Sequence, residues 1–226
     1  MKIVKVDLDA DFSDQGEGSS VIGGGIASAI QEAIAVLKLG GAIVYPTDTL
    51  YALGANALEP GAVERIFKIK NRAREKPLPL AVKNIKWAKE LAFIYKKEEK
   101  ILNSVWPGAV TVILPKRSIV PDSVTAGKSS VALRVPKHDF ADKLLARFGY
   151  PVTSTSANIS GEEGVGKISE VIESFEGNYY KPDLVIDAGD LPRSEPSTIL
   201  DLTGGKPKIL RVGPVTPEPL MKLLEI

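Results

Sequence analysis

The chain has 226 residues, of which 44% are hydrophobic and 25% charged, the make-up of a globular protein with a sizeable core. Twenty-nine Lys and Arg against 28 Asp and Glu leave a net charge of +1, so affinity for phosphate or nucleic acid must come from local clustering. The absence of cysteine excludes a disulfide scaffold, a thiol nucleophile and an iron–sulfur cluster, and the single histidine, His138, supports neither a Ser-His-Asp triad nor a multi-histidine metal site.

Residues 2–8 alternate weakly and predict an edge strand. Residues 13–25 are dominated by small and polar residues and predict a flexible linker. Their glycines do not make a phosphate loop: the G-x-G-x-x-G spacing fails after Gly18, and no Lys-Ser or Lys-Thr follows. Ile26, Ile30, Ala33, Ile34 and Leu37 recur at helical spacing, with Gly40-Gly41 as the stop. A short apolar strand over 42–45 ends at Pro46. Pro60 opens a helix whose face carries Val63, Ile66 and Phe67. Asn84 caps another, with Ile85, Ala88 and Leu91 inward. Strands are expected over 109–114, 131–135 and 151–155. Between the last two, a helix capped by Asp139 carries Phe140, Leu144, Leu145 and Phe148 and closes at Gly149. Ser169 caps a short helix, residues 184–186, 199–202 and 209–212 are strands, and Thr216-Pro217-Glu218 starts a final helix.

Interleaved strands and helices, with several strands apolar on both faces, predict an α/β layered domain. The expected division is an N-terminal strand and linker over 1–25 and one domain over 26–226. The longest uncharged run, 101–115, contains Asn103 and Pro107 and is too short to span a bilayer. Acids at positions 7, 9, 11 and 14 argue against a signal peptide, so a cytoplasmic protein without a membrane partner is expected.

Five stretches carry chemistry. In residues 45–54, three hydroxyls and one carboxylate, Asp48, follow a strand-ending proline, as either a polar turn or a site. From Arg65 to Lys76 there are six cations and one anion, a local charge of +5. This cluster is either a solvated helix end or a polyphosphate clamp, in which Lys supplies point charge and Arg a planar fork for phosphate oxygens. Arg134 lies alone in an apolar strand after Ser130, where it either points outward or reaches a cavity and pairs with a ligand carboxylate. In residues 153–161, six of nine side chains bear hydroxyl or amide groups, among them Ser154, Ser156 and Asn158. With no histidine base in a suitable context, these read as a cradle for phosphate or carboxylate rather than as nucleophiles. Ser197 and Arg211 repeat the pairing of hydroxyl and arginine at strand ends. His138 reads as a helix-start or surface residue.

The order of these pieces resembles the YrdC-like family of L-threonylcarbamoyladenylate synthases, over about residues 26–213. The stretches that carry the resemblance are Pro46–Gly54, Lys70-x-Arg72, Trp106–Thr111, Val131–Pro136, Ser156–Gly161, Ser197–Asp201 and Ile209–Arg211. The resemblance implies a twisted mixed β-sheet with flanking helices around an open, positively lined cavity. It implies synthesis of threonylcarbamoyl-AMP from L-threonine, bicarbonate or CO2 and ATP, with release of pyrophosphate. A partner tRNA threonylcarbamoyl transferase then modifies adenosine 37 of tRNAs reading ANN codons. Carried over residue by residue, Thr49, Arg134, Ser154 and Ser197 would bind threonine, with Arg134 on its carboxylate. Lys70, Arg72, Lys76, Ser130, Ser156 and Arg211 would hold ATP. Catalysis would rest on Lys70, Arg72, Ser156 and Asn158, the last shaping its loop. Mg²⁺ would ride mainly on the nucleotide, in keeping with the lack of a metal-ligand cluster.

The chain departs from the family pattern in residues 71–78, where Ala73-Arg74-Glu75 replaces a commoner Pro-Ser-Asp. Ala81 stands where several members carry a histidine near the threonine site, and Gly164 stands where some place a serine on ATP. The competing reading is a family relative that binds tRNA or double-stranded RNA without making the adenylate.

Overall fold

The structure is a computed structural model that describes residues 1–8, 25–164, 166–204 and 206–224. Most of the expected linker over 13–25 lies outside the described residues. In chain order the elements are β1 (Lys2–Lys5), α1 (Ile26–Lys38), β2 (Ile43–Tyr45), β3 (Ala52–Gly54), α2 (Pro60–Lys70), β4 (Leu80–Ala81), α3 (Ile85–Leu91) and α4 (Lys96–Val105). They continue with β5 (Val110–Pro115), α5 (Asp122–Thr125), β6 (Ser130–Arg134), α6 (Asp139–Phe148), β7 (Val152–Thr153) and β8 (Thr155–Ser156). The last are α7 (Ile168–Glu176), β9 (Leu184–Asp187), β10 (Thr198–Asp201), β11 (Lys208–Arg211) and α8 (Pro217–Leu224).

The architecture is mixed α/β, and its strands divide over two mixed sheets. One has the order β1-β9-β2-β3-β8 and the other β11-β10-β5-β6-β4-β7. β1 lies at the edge of the first, parallel to β9 in the register Lys2 to Leu184. The N-terminal strand is therefore part of the first sheet, with Val6 in the apolar cluster packed on it.

Two apolar clusters sandwich the first sheet, and the period of two along its strands assigns residues to them. Ile43, Tyr45, Leu184 and Ile186 pack with α1 and α6, while Val44, Leu53 and Val185 join the larger cluster that reaches the second sheet. This is why β2 and β9 read as continuous apolar runs: both faces are covered. α1 contributes Ile26, Ala29, Ile30, Ala33 and Leu37, and α6 contributes Phe140, Ala141, Leu144, Leu145 and Phe148. β3 crosses β7 closely at Gly54, where an added Cβ would lie 2.6 Å from Val152 Cγ1 and 2.8 Å from the Thr153 carbonyl.

The helix ends follow the sequence in part. Asn84 Oδ1 accepts from the Trp87 N–H at 3.1 Å, as expected of a cap, and Gly149 closes α6 at φ 82°. Two expected caps are displaced. Asp139 is the first helical residue of α6 and His138 its N-cap, so the Asp139 carboxylate serves the first turn, where negative charge favours the helix dipole. α7 begins at Ile168 after Lys167, and the free Ile168 N–H is met by Asp190 Oδ1 at 3.1 Å rather than by Ser169. The short β3, β4 and α5 carry too little periodicity to be read individually from the sequence, and α4, which is amphipathic, is not among the expected elements. Among the described residues no helix is long and apolar enough to cross a membrane.

Phe140 is fully buried between α1 and the first sheet. Phe140→Ala is expected to cost about 3–5 kcal/mol, read as a lowered midpoint in denaturant unfolding. A loss under 1 kcal/mol would show that this side of the sheet collapses freely around the gap.

Candidate functional site

The same alternation that builds the core builds the site. In β5, Val110, Val112 and Leu114 enter the large apolar cluster, while Thr111 and Ile113 face the other way. In β6, Val131 and Leu133 are core, and Ala132 and Arg134 face a cavity. In β10, Leu200 is core and Ile199 faces the cavity. The cavity, about 300 Å³, is completed by Ala52, Thr155 and Ser156 from the first sheet, so it lies where the two sheets meet.

Of the residues expected at the site, Thr49, Arg72, Arg134, Ser154, Ser156, Ser197 and Arg211 line this cavity. Three arginines and no carboxylate border it among the described residues. The charges sense one another: burial, then the Arg134 guanidinium, holds Arg211 below its usual value, and burial does the same to Arg72.

Arg134 is 6% exposed, and each of its three nitrogens donates one hydrogen bond within the chain. Its Nε donates to the Gly108 carbonyl at 3.0 Å, Nη1 to Thr49 Oγ1 at 2.9 Å and Nη2 to Asp48 Oδ1 at 2.6 Å. The apolar strand around it thus carries a paired charge, and its partner is a carboxylate of the chain itself. Thr47 orders the turn that delivers these partners, donating to the Leu50 carbonyl at 2.7 Å and accepting from the Thr49 N–H at 3.2 Å. Thr47 and Thr111 belong to the site and were not singled out in the sequence; Thr111 was legible only as the polar position of an alternating strand.

The opposite wall is held by Arg211. Its Nε and Nη2 donate to the Ser197 carbonyl at 3.0 and 2.7 Å, while the Ser197 hydroxyl pairs with Thr111 Oγ1 at 2.8 Å. Behind it the Gly213 N–H donates to Thr198 Oγ1 at 2.9 Å. A Cβ on Gly213 would fall 2.1 Å from the Pro196 carbonyl oxygen, so only glycine allows this approach.

Lys70, Lys76, Ser130 and Asn158 do not line the cavity. Lys70 is 2% exposed, and its Nζ donates to the Ser156 carbonyl at 2.6 Å, the Asn158 carbonyl at 2.7 Å and Asn158 Oδ1 at 2.9 Å. Asn158 Oδ1 also accepts from Ser156 Oγ at 2.6 Å, and its Nδ2 donates to the Glu162 carbonyl at 2.6 Å. Lys70 and Asn158 therefore hold the 156–162 loop from behind. Burial, then Arg72, pulls the Lys70 ammonium down to about 7, while Glu162 pulls it back up. Three acceptors occupy all three ammonium protons, and the neutral amine would have only two to give. Arg72 is fixed by the turn that follows it, donating to the Lys76 and Pro77 carbonyls at 3.2 and 3.0 Å. Lys76 is exposed, and Ser130 is half-buried at the start of β6, opposite Pro115 of β5.

Ala81 lies beside Arg134 in the β4–β6 register, but it is buried in the cluster of α1 and α6 and does not line the cavity. A Cβ on Gly164 would point at Leu50 Cδ1 at 2.9 Å and Ser156 Cβ at 3.3 Å, two residues of the cavity wall. His138 Nδ1 is buried without a partner; burial lowers its pKa, opposed by Asp48 and Asp139. No three histidines, aspartates or glutamates converge as a metal cage among the described residues.

Lys70→Met keeps the length of the side chain and removes its three donors. It is expected to destabilise the fold by about 2 kcal/mol, or roughly 4–8 °C in Tm, with faster amide exchange over 156–162. Unchanged exchange in that loop would mean that Lys70 does not organise it.

The family of Sua5, YciO and YrdC domains, described as "Telomere recombination", matches residues 35–213. The chain is 36% identical over 196 residues to threonylcarbamoyl-AMP synthase of Pyrococcus abyssi, covering 86% of this chain and 57% of that protein. It is 34% identical over 191 residues to the Bacillus subtilis threonylcarbamoyl-AMP synthase, covering 84% of this chain and 54% of that one. The chain thus spans a little over half the length of these curated relatives. The crystal structure of P. abyssi Sua5 complexed with L-threonine superimposes with a TM-score of 0.86 at 32% identity, over 99% of this chain and 61% of that one. Escherichia coli YciO superimposes at 0.79 with 26% identity, over 96% of this chain and 97% of that one. Matched in sequence over most of its length and in fold over nearly all of it, the chain belongs to the Sua5, YciO and YrdC family.

Proposed function

We propose that the chain makes L-threonylcarbamoyl-AMP from L-threonine, bicarbonate or CO2 and ATP, releasing pyrophosphate. The observation that carries this reading is the pairing, in one cavity, of a buried guanidinium among hydroxyls with two further arginines on the other walls. Arg134 and Thr49 suit an amino acid carboxylate, with Ser154 and Ser197 as further polar contacts. Arg72, Arg211 and Ser156 suit the phosphates of ATP. The L-threonine complex of P. abyssi Sua5 supports the threonine part of the assignment.

In this reading the threonine amine adds to CO2 with loss of a proton. An oxygen of the resulting carbamate attacks the α-phosphorus, and the bond to pyrophosphate breaks. The chain supplies position and positive charge rather than a covalent partner. With no carboxylate on the cavity wall, the described residues do not form a Mg²⁺ cage, so the ion would enter on the triphosphate oxygens. The adenylate would pass to a tRNA threonylcarbamoyl transferase acting on adenosine 37, in the cytoplasm. Lys70 and Asn158 act here as positioning residues for Ser156, and Lys76 and Ser130 carry no direct contact.

The test is incubation with ATP, L-threonine and bicarbonate, reading pyrophosphate and the adenylate. Arg134→Lys keeps the buried charge opposite Asp48 but loses the fork. It is expected to lower threonine-dependent pyrophosphate release about 100-fold with the fold intact by Tm, since small misplacements at a reacting centre are this costly. Arg211→Ala is expected to raise the KM for ATP more than that for threonine. Wild-type protein that releases no threonine-dependent pyrophosphate would sink the proposal.

A further inference from the structure

The basic stretch over 65–76 does not form one surface. Lys70 is buried, Arg72 lines the cavity, and Arg65 pairs with Asp183 Oδ1 at 2.6 Å. Lys68, Arg74 and the exposed Lys76 are left over, and the first two border a second groove of about 430 Å³ beyond the C-terminal end of α2. Its walls also include Asn71, Ile159, Tyr179 and Tyr180, and one carboxylate, Glu64. The groove and the cavity share only Arg72.

The chemistry of this groove is specific. Tyr179 is 92% exposed, so its ring is open to an incoming planar group. It meets Tyr180 edge-on, with centroids 4.9 Å apart at 85°, which steadies the pair. Lys68 Nζ stands 5.6 Å from the Tyr180 ring centroid and makes no ion pair among the described residues. Arg74 pairs with Glu64 at the groove margin with most of its side chain in solvent. An open aromatic face beside cations is the arrangement that stacks a base and holds its phosphate.

We propose that this groove binds a nucleotide unit, its base on the Tyr179 ring and its phosphate between Lys68 and Arg74. The unit belongs either to a single-stranded RNA or to a free nucleotide. The site uses none of the threonine contacts, so it stands whether or not the chain makes the adenylate.

The test is fluorescence anisotropy with a short labelled single-stranded RNA of mixed sequence, and calorimetry with AMP, on wild type, Tyr179→Ala, Tyr179→Phe and Lys68→Glu. Tyr179→Ala is expected to weaken binding at least about tenfold, the worth of one stacked base, while Tyr179→Phe retains it. Lys68→Glu is expected to weaken RNA binding and flatten its salt dependence. All three side-chain changes lie on exposed positions away from the cavity walls, so AMP bound in the cavity contributes equally to every protein. Loss with RNA alone assigns the groove to a strand, and loss with AMP as well assigns it to a free nucleotide. If Tyr179→Ala binds both ligands as wild type does, the proposal is overturned.

Discussion

A guanidinium taken out of water has to be paired, and Arg134 meets that requirement by tying three distant stretches of chain to one point. Asp48 and Thr49 come from the turn after β2, Gly108 from the approach to β5, and Arg134 itself from the end of β6. The Arg134–Asp48 pair is nearly dry on both sides, with side chains 8% and 17% exposed. Breaking such a pair by removing one member typically costs about 3–5 kcal/mol. The junction of the two sheets is therefore fastened at the same atom group that faces the cavity. The carboxylate proposed to bind here would meet a guanidinium already oriented by the fold, with Asp48 as a competitor for the same donors.

Much of this was legible in the sequence. The long periodic elements, α1, α2 and α6, and the apolar strands β2, β5, β6 and β9 announce themselves through spacing, because burial on one or both faces leaves a pattern of two or 3.6. β3 and β4 are two or three residues long and carry no period, and the strand expected over 151–155 splits at Ser154 into β7 and β8, which join different sheets. They exist because neighbouring strands offer free backbone donors and acceptors, a tertiary cause with no local signature. The division into two sheets has the same origin: strand order depends on contacts such as Thr198 beside Val110, far apart in the chain.

The site divides along a similar line. Arg134 stood out because a lone charge in an apolar strand needs an explanation, and Arg211 and the hydroxyl-rich loop because polar groups gather at strand ends. The direction of the basic cluster could not be read. Lys68, Lys70, Arg72 and Arg74 are close in sequence, yet they serve a groove, a loop, a cavity and a groove margin respectively. A helix turns 100° per residue and ends at Asn71 in a left-handed cap at φ 48°, after which the chain reverses. Charge density in a sequence is thus a poor guide to charge density in space wherever a helix terminates.

The contact between Gly213 and Pro196 has a mechanical meaning. Thr198 Oγ1 accepts from the Gly213 N–H and donates to the Val215 carbonyl, so the stretch leading into α8 is buttoned to the strand that carries Ser197. There is no slack at that point, since the Gly213 Cα has backbone rather than side chain beneath it. Ser197 is in turn bonded to Thr111 on the floor of the cavity, so this stretch and the cavity wall share one hydrogen-bonded chain. The position of α8 and the position of the proposed substrate contact at Ser197 are thereby set by the same few bonds.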